Sequence, residues 1–570
     1  MTRILLLGGY GGFGARIARR LGEAGFTVLV AGRRLERAEA FCAGRPNLVP
    51  VAVDRDHGLE DALARLGAEM LIDASGPFQG ADYRVPRACI AARIHYLDIA
   101  DARDFVCGIG SLDAAARDAG IVMISGASSV PALSGAALRE LAHGMEDIRA
   151  IEMAISASSR ATAGPSVASA ILEHVGKPIR RWHGGRWSIG HGWQEMRYER
   201  FAVDGVAPLD RRLVALADIP DLALLPARVL GRPAVTFRAG TELAVQNIAL
   251  WLASWVVRRG WIANLAALSR QLGWAQRMMA GLGGDRSAMV VCIFGHVSGD
   301  PVERRWTLIA GAGDGPEIPA LAAPILARRV AAGMLNPGAR DAGTLLALTD
   351  FEPAFAGLSI VHQQREIAQP LPLYARVMGE RFGRLPPAVR AMHAVLRDGG
   401  ASGRATVTRG RHPLARLIAR VVGFPPEGEH ALHVHFQERD GVETWTRCFS
   451  SHAFHSRLSQ RGKRLVERFG PLSFGFDLPS DGRGLTMVMR GWRLLGLPLP
   501  LMFAPRSEAR EWEEEGRFHF DVSIALPLIG PIVHYRGWLD SDPGARQSRL
   551  RGHRPGVRID PTGSSPEKRA

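Results

Sequence analysis

A buried strand, a glycine-rich turn and an amphipathic helix open this chain. The apolar run ILLL is followed directly by GGYGGFG, and ARIARRLGEAG then carries apolar residues at helical spacing. Further short apolar runs (TVLVAG, LVPVAV, MLIDAS, IVMIS) alternate with amphipathic stretches. Strand–helix alternation with such short connections predicts an α/β Rossmann-type fold, a doubly wound parallel sheet, over residues 1–125.

The glycine turn lies where such a fold binds a dinucleotide. Gly9, Gly11 and Gly14 satisfy G-x-G-x-x-G between a strand and a helix, which is the required context. Glycines allow a pyrophosphate to approach the backbone, and the helix N-terminus attracts its charge. The residues predicted to surround the pyrophosphate are Gly8, Gly9, Tyr10, Gly11, Gly12, Phe13 and Gly14.

The end of the second predicted strand indicates which dinucleotide is bound. NAD sites place a carboxylate there, whereas this chain reads Gly32-Arg33-Arg34 and has no acid before Glu36. A guanidinium chelates a 2′-phosphate that a carboxylate would repel. We therefore expect NADP(H), bound through Arg33 first and Arg34 second, although either arginine alone is also compatible with a solvated surface position.

Two further loops and one strand end supply the other candidate site residues. Asp54 follows the third strand and is expected to meet the adenine amino group. The loop after the fourth strand is expected beneath the nicotinamide ribose, through Ser75, Gly76 and Pro77. Hydride transfer also needs a proton donor. The candidates, expected in the loop after the fifth strand, are His95, Tyr96 and Asp98, with simple packing as the alternative for His95 and Tyr96.

The pattern changes twice downstream. Residues 126–368 mix strand and helix patterns and predict an α+β second domain, which would cover the nicotinamide and select the substrate. Residues 369–540 contain serial alternating strands and predict a β-rich antiparallel domain, a curved sheet or a barrel. Residues 541–570 are rich in Arg, Gly, Pro and Ser and are expected to form a disordered basic tail.

Several segments of these domains have two interpretations. The apolar segment Leu243–Val257 is expected to be a buried helix, with an interfacial helix or pocket wall as the alternative. The run GWRLLGLPLPLMF is either core, a lid or a pocket lining, and the acidic residues 511–515 are expected in a solvated turn. His433 and His435 share a strand face, but we expect polar-face histidines there and no metal site.

Composition limits the partners. The net charge is +15, but by residue count residues 1–150 carry 17 basic and 18 acidic side chains. No nucleic-acid-binding motif is present, so no nucleic-acid partner is expected. Five scattered cysteines without a CxxC pair argue against disulfides and structural zinc. We expect a cytoplasmic protein with a small-molecule substrate, and a peripheral membrane contact and a homodimer stay open.

The same motifs carry a family resemblance. GGYGGFG, AGRR, SGPF and HYLD resemble the NADP-binding domain of the saccharopine dehydrogenase-like reductases, and GASSVP is similar to that family's lead into the second domain. ARLIARVVGFPPEG, ETWTRCF, ERFGPLSF, GLPLPLMFAP and HYRGWL resemble the bacterial DUF4166 domain, whose name carries no activity.

The resemblance implies an NADP(H)-dependent oxidoreductase that reduces a carbonyl, imine or enoyl group. An apolar, lipid-like substrate follows only from the apolar segments and the family analogy. The alternative is a non-catalytic NADP(H)-binding protein whose C-terminal domain carries a hydrophobic ligand.

Overall fold

The computed structural model describes residues 2–160, 171–265 and 278–541, together with residues 268, 271 and 274. The expectation of a disordered tail at 541–570 falls almost entirely outside these residues.

The N-terminal unit is the expected three-layer α/β fold. Its strands are β1 (Arg3–Leu7), β2 (Thr27–Gly32), β3 (Leu48–Ala52), β4 (Met70–Asp73), β5 (His95–Asp98) and β6 (Val122–Ser125). Its helices are α1 (Gly14–Glu23), α2 (Leu35–Cys42), α3 (Leu59–Leu66), α4 (Arg84–Ala92), α5 (Arg103–Gly108) and α6 (Asp113–Asp118). The strands are short and almost wholly apolar because helices cover both faces of the sheet.

The sheet is parallel in the order β3-β2-β1-β4-β5-β6. Beyond β6 it gains a further parallel strand, Gly338–Asp341, which is β15 in chain order. This strand comes from the stretch that the sequence pattern assigns to the second domain. The chain therefore returns to the first sheet after building most of the second unit.

The second unit is built around a mostly antiparallel sheet in the order β10-β11-β12-β7-β13-β14-β16, within which β12 and β7 run parallel. Its strands are β7 (Asp147–Ala157), β10 (Arg197–Phe201), β11 (Leu209–Leu216), β12 (Ala234–Thr241), β13 (Ser287–Val297), β14 (Asp300–Ala310) and β16 (Ile360–Ala368), and β8 (Pro178–His183) and β9 (Arg186–His191) form a separate hairpin. Its helices are α7 (Ser134–Ala142), α8 (Asp221–Arg228), α9 (Ala244–Arg258), α10 (Ala322–Ala331) and α11 (Glu352–Ala356).

Helix α9 contains the apolar segment that the sequence analysis expects to be buried, and that expectation is wrong. Its polar residues Asn247 and Ser254 are fully buried, whereas Val245, Ile248 and Leu252 are exposed. The Asn247 amide points inward, where it accepts a hydrogen bond from the backbone N–H of Thr241 and donates one to the Thr241 carbonyl oxygen. The helix therefore packs through Asn247, Ser254 and Val257 and presents a second, apolar face outward. Among the described residues, no helix is both long and apolar enough to cross a membrane.

The C-terminal unit is a closed antiparallel barrel of ten strands with one added hairpin strand, β24. Its strands are β17 (Asp398–Arg409), β18 (Gly428–Arg439), β19 (Val442–Phe449), β20 (His452–Arg461), β21 (Arg464–Phe469), β22 (Leu472–Asp477), β23 (Gly484–Leu494), β24 (Leu497–Leu499), β25 (Arg506–Glu514), β26 (Arg517–Leu526) and β27 (Gly530–Ser541). Its helices are α12 (Leu373–Met378), α13 (Pro387–His393) and α14 (Pro413–Val422).

The barrel core contains polar residues among its aromatic side chains. The expected solvated acidic turn is partly wrong, because Glu511 lies on β25, is buried, and its carboxylate lies 2.6 Å from the His393 ring. Glu443 is completely buried and accepts the Trp445 indole N–H at 2.9 Å. Burial raises the pKa of Glu443 to about 7. Closure of the sheet places the carboxyl groups of Glu443 and Glu511 inside the barrel. The run of acidic residues in the sequence does not reveal this burial.

A buried carboxylate joins the second unit to the barrel. Glu152 on β7 contacts Arg197 of its own unit at 2.8 Å, and Arg397 and Arg439 at the barrel at 2.8 and 2.6 Å. These guanidiniums hold the pKa of Glu152 well below its usual range, although burial acts in the opposite direction. Breaking such a buried network is costly because it leaves unpaired charges.

Candidate functional site: a dinucleotide crevice

Four loops meet at one edge of the first sheet. Gly8 follows β1, Arg33 follows β2, Asp54 follows β3 and Ser75 follows β4, and these strands are mutually parallel. The carboxyl ends of parallel strands share one edge, which is where open α/β sheets bind ligands. The residues expected to bind the cofactor are thus brought to one crevice.

The glycine turn between β1 and α1 is a tight backbone cradle. Gly8 has a φ of +69°, which favours glycine. A Cβ on Gly14 would lie 2.1 Å from the Gly8 carbonyl oxygen, and one on Gly9 would lie 2.9 Å from the Leu6 carbonyl oxygen. The turn therefore excludes side chains at these positions and leaves backbone facing the start of α1, as a pyrophosphate site requires.

Tyr10 links the glycine turn to the arginine turn. Its hydroxyl accepts the backbone N–H of Arg34 at 3.2 Å. Its ring lies so close to Gly32 that a Cβ there would be 2.3 Å from a ring carbon. Arg33 and Arg34 are exposed beside this contact. The loop geometry thus presents two guanidiniums to solvent at the edge where a 2′-phosphate would lie.

Two residues that the sequence analysis misses hold the Ser75 loop. Asp73 ends β4, is completely buried, and accepts the Ser75 N–H at 2.9 Å and the Ser75 hydroxyl at 2.5 Å. Arg55 lies 3.4 Å from the other Asp73 oxygen, and its guanidinium stacks over Phe78 at 5.2 Å from the ring centre. An aspartate at the end of a wholly apolar strand is the signal that could have revealed this anchor. Gly76 and Pro77 continue the same loop.

Asp54 remains ionised in the crevice. The Asp56 backbone N–H donates to its carboxylate at 3.0 Å, and the His57 ring lies 3.3 Å away. These contacts, with a smaller contribution from Arg33, lower the pKa of Asp54. An acceptor is thus available at the end of β3, as an adenine amino group requires.

The expected position of two proton-donor candidates is wrong. His95 and Tyr96 lie within β5 and not in the loop after it. His95 begins the strand, at the edge opposite the crevice, and its Nδ1 accepts the backbone N–H of Val122 at 3.0 Å. Tyr96 is completely buried in the core of the α/β unit. The sequence analysis thus assigned residues 95–98 to a loop, whereas they form a strand of their own.

Asp98 does lie at the crevice edge, but its role there is to anchor backbone. One carboxylate oxygen accepts the N–H groups of Ala100 at 2.9 Å and Gly126 at 2.8 Å, and the Ser125 hydroxyl at 3.0 Å. Burial raises its pKa to about 6 despite these bonds. Asp98 therefore holds the segment through which the chain enters the second unit.

A polar group that the sequence analysis does not identify lies beside this edge. Asp101 follows β5 and accepts the Gln79 amide N–H at 3.2 Å, while Arg103 forms an ion pair with Asp218 of the second unit. Desolvation raises the pKa of both Asp101 and Asp218, and the charge of His174 acts on both carboxyls in the opposite direction. His174 thus lies where the two units face each other, a position set by tertiary structure alone.

Comparison with known proteins identifies two segments. Residues 4–124 match the family described as saccharopine dehydrogenase NADP binding domain, and residues 385–539 match the domain of unknown function DUF4166. Curated protein sequences yield no match.

The solved structures that this chain resembles in part include dehydrogenases. Saccharopine dehydrogenase (L-Glu forming) from Saccharomyces cerevisiae is 13% identical, covers 64% of this chain and 100% of its own, and has a TM-score of 0.42. A probable dehydrogenase from Thermotoga maritima is 9% identical over 64% of this chain and 98% of its own, with a TM-score of 0.32. GenD2 from gentamicin A biosynthesis, in complex with NAD, is 16% identical over 53% of this chain and 71% of its own, with a TM-score of 0.27. By the family models, residues 4–124 are similar to the saccharopine dehydrogenase NADP binding domain, and residues 385–539 are similar to the DUF4166 domain.

Proposed function

We propose that this chain is an NADP(H)-dependent oxidoreductase. The observation that carries the proposal is the backbone cradle at Gly8, Gly9 and Gly14, which has no room for side chains. The absence of an acidic residue between Gly32 and Glu36 and the presence of Arg33 and Arg34 favour the 2′-phosphorylated dinucleotide.

Each part of the crevice has a distinct task in this proposal. The turn and the N-terminus of α1 hold the pyrophosphate, and Arg33, assisted by Arg34, holds the 2′-phosphate. Asp54 accepts from the adenine amino group, and the Ser75 loop lies under the nicotinamide ribose. The cofactor when bound supplies or accepts a hydride.

His174 is the proton donor in this proposal, in place of His95 and Tyr96. An imidazole titrates near neutral pH and therefore exchanges a proton at little cost. The charge of His174 acts on both Asp101 and Asp218, which places this imidazole where the first two units face each other. The substrate is a carbonyl, imine or enoyl compound with an apolar body, which the apolar surfaces of α9 and of the barrel favour.

Cofactor preference is tested by fluorescence titration of the full chain with NADPH and NADH side by side. Wild type is expected to prefer NADPH, and Arg33→Asp to lose that preference. Arg19→Asp makes the same charge change at an exposed position on α1 and is expected to keep it. Retention of the preference in Arg33→Asp would show that the arginine turn does not bind the 2′-phosphate.

The proton donor is tested by following NADPH oxidation with a panel of lipid-like carbonyl and enoyl compounds. His174→Ala is expected to slow turnover about 10²- to 10⁴-fold while NADPH affinity stays unchanged. His191→Ala, on β9 of the same unit, serves as the control. Equal turnover in wild type and His174→Ala would eliminate His174 as the donor.

A second candidate function is a non-catalytic NADP(H) protein whose barrel docks on lipid. One end of the barrel carries the β23–β24 turn, the β26–β27 turn and α14, as the strand register requires. The large apolar side chains exposed in these segments and in the short helix Leu501–Phe503 that follows β24 are Leu414, Leu417, Val421, Leu494, Leu495, Leu497, Leu501, Met502, Phe503 and Leu528.

Basic residues beside this apolar barrel end make an anionic bilayer its best partner. Arg411, Arg416 and Arg420 are exposed in and next to α14, and such residues attract anionic headgroups while apolar side chains insert. In vesicle flotation, wild type is expected to bind phosphatidylserine vesicles and Leu495→Asp to lose binding. Ile189→Asp, at an exposed position on β9, is the control. Equal binding by wild type and Leu495→Asp, or self-association through this end without vesicle binding, would refute the docking.

A further inference from the structure

Three ligand-type side chains converge where the β8–β9 hairpin meets the outer face of the barrel. His183 ends β8, Asp398 begins β17 and His435 lies on β18. The Nε2 atoms of His183 and His435 lie 3.0 and 2.8 Å from the same oxygen, Oδ2 of Asp398. One potential ligand atom from each residue lies within 4.8 Å of the others. Side chains from two units thus face a single point.

Two glycines make this convergence rigid. A Cβ on Gly400 would lie 1.9 Å from the Gly184 carbonyl oxygen, and one on Gly184 would lie 2.6 Å from the His435 ring. The hairpin turn therefore rests directly on the barrel. The Gly184 N–H donates to Oδ1 of Asp398 at 2.7 Å, which orients the carboxylate so that Oδ2 faces both imidazoles.

A further buried imidazole on the same face has an unused nitrogen. His433 lies two residues from His435 on β18, so both side chains share one face of the strand. It is 6% exposed, and its Nδ1 lies 2.9 Å from the Ser402 hydroxyl oxygen. Its Nε2 is buried and has no hydrogen-bond partner among the described residues. A buried polar atom without a hydrogen-bond partner destabilises the fold. This face of the barrel therefore has a further imidazole nitrogen that could bind a ligand or a water molecule.

The spacing approaches that of a tetrahedral transition-metal site. Zinc–nitrogen and zinc–oxygen bonds of about 2.0–2.2 Å place neighbouring ligand atoms about 3.3 Å apart in tetrahedral geometry. The two imidazole–carboxylate separations, 3.0 and 2.8 Å, are a few tenths of an ångström shorter, and all three ligand atoms lie within 4.8 Å of one another. Side-chain rotations that move the carboxylate oxygen away from the imidazoles would therefore admit an ion. Two imidazoles and a carboxylate suit zinc and its neighbours, whereas calcium and magnesium require oxygen-rich sites.

We propose that His183, Asp398 and His435 bind one divalent transition-metal ion, with zinc as the best fit, and that this ion fastens the second unit to the barrel. The site is separate from the dinucleotide crevice and does not depend on the proposed reaction. The alternative is that both imidazoles donate N–H groups to Asp398 with no ion between them.

Calorimetric titration of EDTA-treated, desalted full chain with zinc chloride tests the proposal. Wild type is expected to bind one zinc ion per chain, and His183→Ala and His435→Ala to bind it at least 100-fold more weakly. His455→Ala, at an exposed position on β20, is expected to bind as wild type does. The absence of stoichiometric binding by wild type, or unchanged binding by both site variants, would overturn the proposal.

Two measurements on wild type avoid reliance on variants that fail to fold. Cobalt(II) is expected to give the intense visible absorption of a tetrahedral ion, and zinc is expected to raise the melting temperature of the EDTA-treated chain. Absorption typical of octahedral aqueous cobalt, with no change in melting temperature, would contradict the site. NADPH affinity is expected to be the same with and without zinc, so failure of this proposal and failure of the proposed function are distinguishable.

Discussion

Gly14→Ala tests the idea that the glycine turn is shaped for close approach of a pyrophosphate. The added Cβ would lie 2.1 Å from the Gly8 carbonyl oxygen and 2.8 Å from its carbon, both backbone atoms. Real Cβ contacts begin above 3.0 Å, so the turn must open by about 1 Å. Overpacking of this kind costs about 1–3 kcal/mol. A cost of that size, taken from the bound conformation, weakens binding by about 5- to 150-fold.

The assay is fluorescence titration of NADPH against wild type, Gly14→Ala and Gly110→Ala. A Cβ on Gly110 meets nothing within 4 Å, so this variant adds the same methyl group in open space. We expect the Gly14 variant to bind NADPH about 10- to 100-fold more weakly and the Gly110 variant to bind normally. A thermal melt separates lost binding from lost folding. Unchanged affinity in a folded Gly14→Ala protein would refute the reasoning.

Three further predictions concern the units beyond the crevice. Glu152→Gln leaves the guanidiniums of Arg397 and Arg439 without this carboxylate and Arg197 with Glu199 alone. It is expected to cost about 3–5 kcal/mol of stability, measured by urea unfolding, and an unchanged transition midpoint would contradict this. The raised pKa of Glu443 means that the folded state holds a proton the unfolded chain has lost, so about 3 kcal/mol of stability disappears as pH rises from about 4.5 to above 7. Glu443→Gln is expected to flatten this part of the stability–pH profile, and an unaltered profile would count against it. Gly400→Ala is expected to displace the β8–β9 hairpin and to increase proteolysis there. Gly491→Ala adds a Cβ that meets nothing within 4 Å and is expected to leave proteolysis unchanged. Equal cleavage of the two variants would show that the contact between Gly400 and Gly184 is dispensable.

Local sequence patterns predicted those parts of this protein that are stabilised by residues adjacent in the chain. The glycine turn and the arginines after β2 occupy the crevice because strand, turn and helix are adjacent in the chain. Serial alternating strands predicted a β-rich third unit, which the structure closes into a barrel. Strand β5 itself was missed, because it has only four residues and both its first residue, His95, and its last, Asp98, are polar.

By itself, the sequence determined the dinucleotide fold, and it predicts a preference for the 2′-phosphorylated dinucleotide, because a few adjacent residues suffice for both. Only the tertiary structure decided which residues that are distant in the sequence lie close together. It placed His174 near Asp101 and Asp218, and it brought His183 to Asp398 on the barrel. It also set the orientation of α9: the buried Asn247 side chain accepts a hydrogen bond from the Thr241 backbone N–H, and the apolar face of the helix points outward. Burial and long-range electrostatics depend on which surfaces meet, and this information is absent from any local window of sequence.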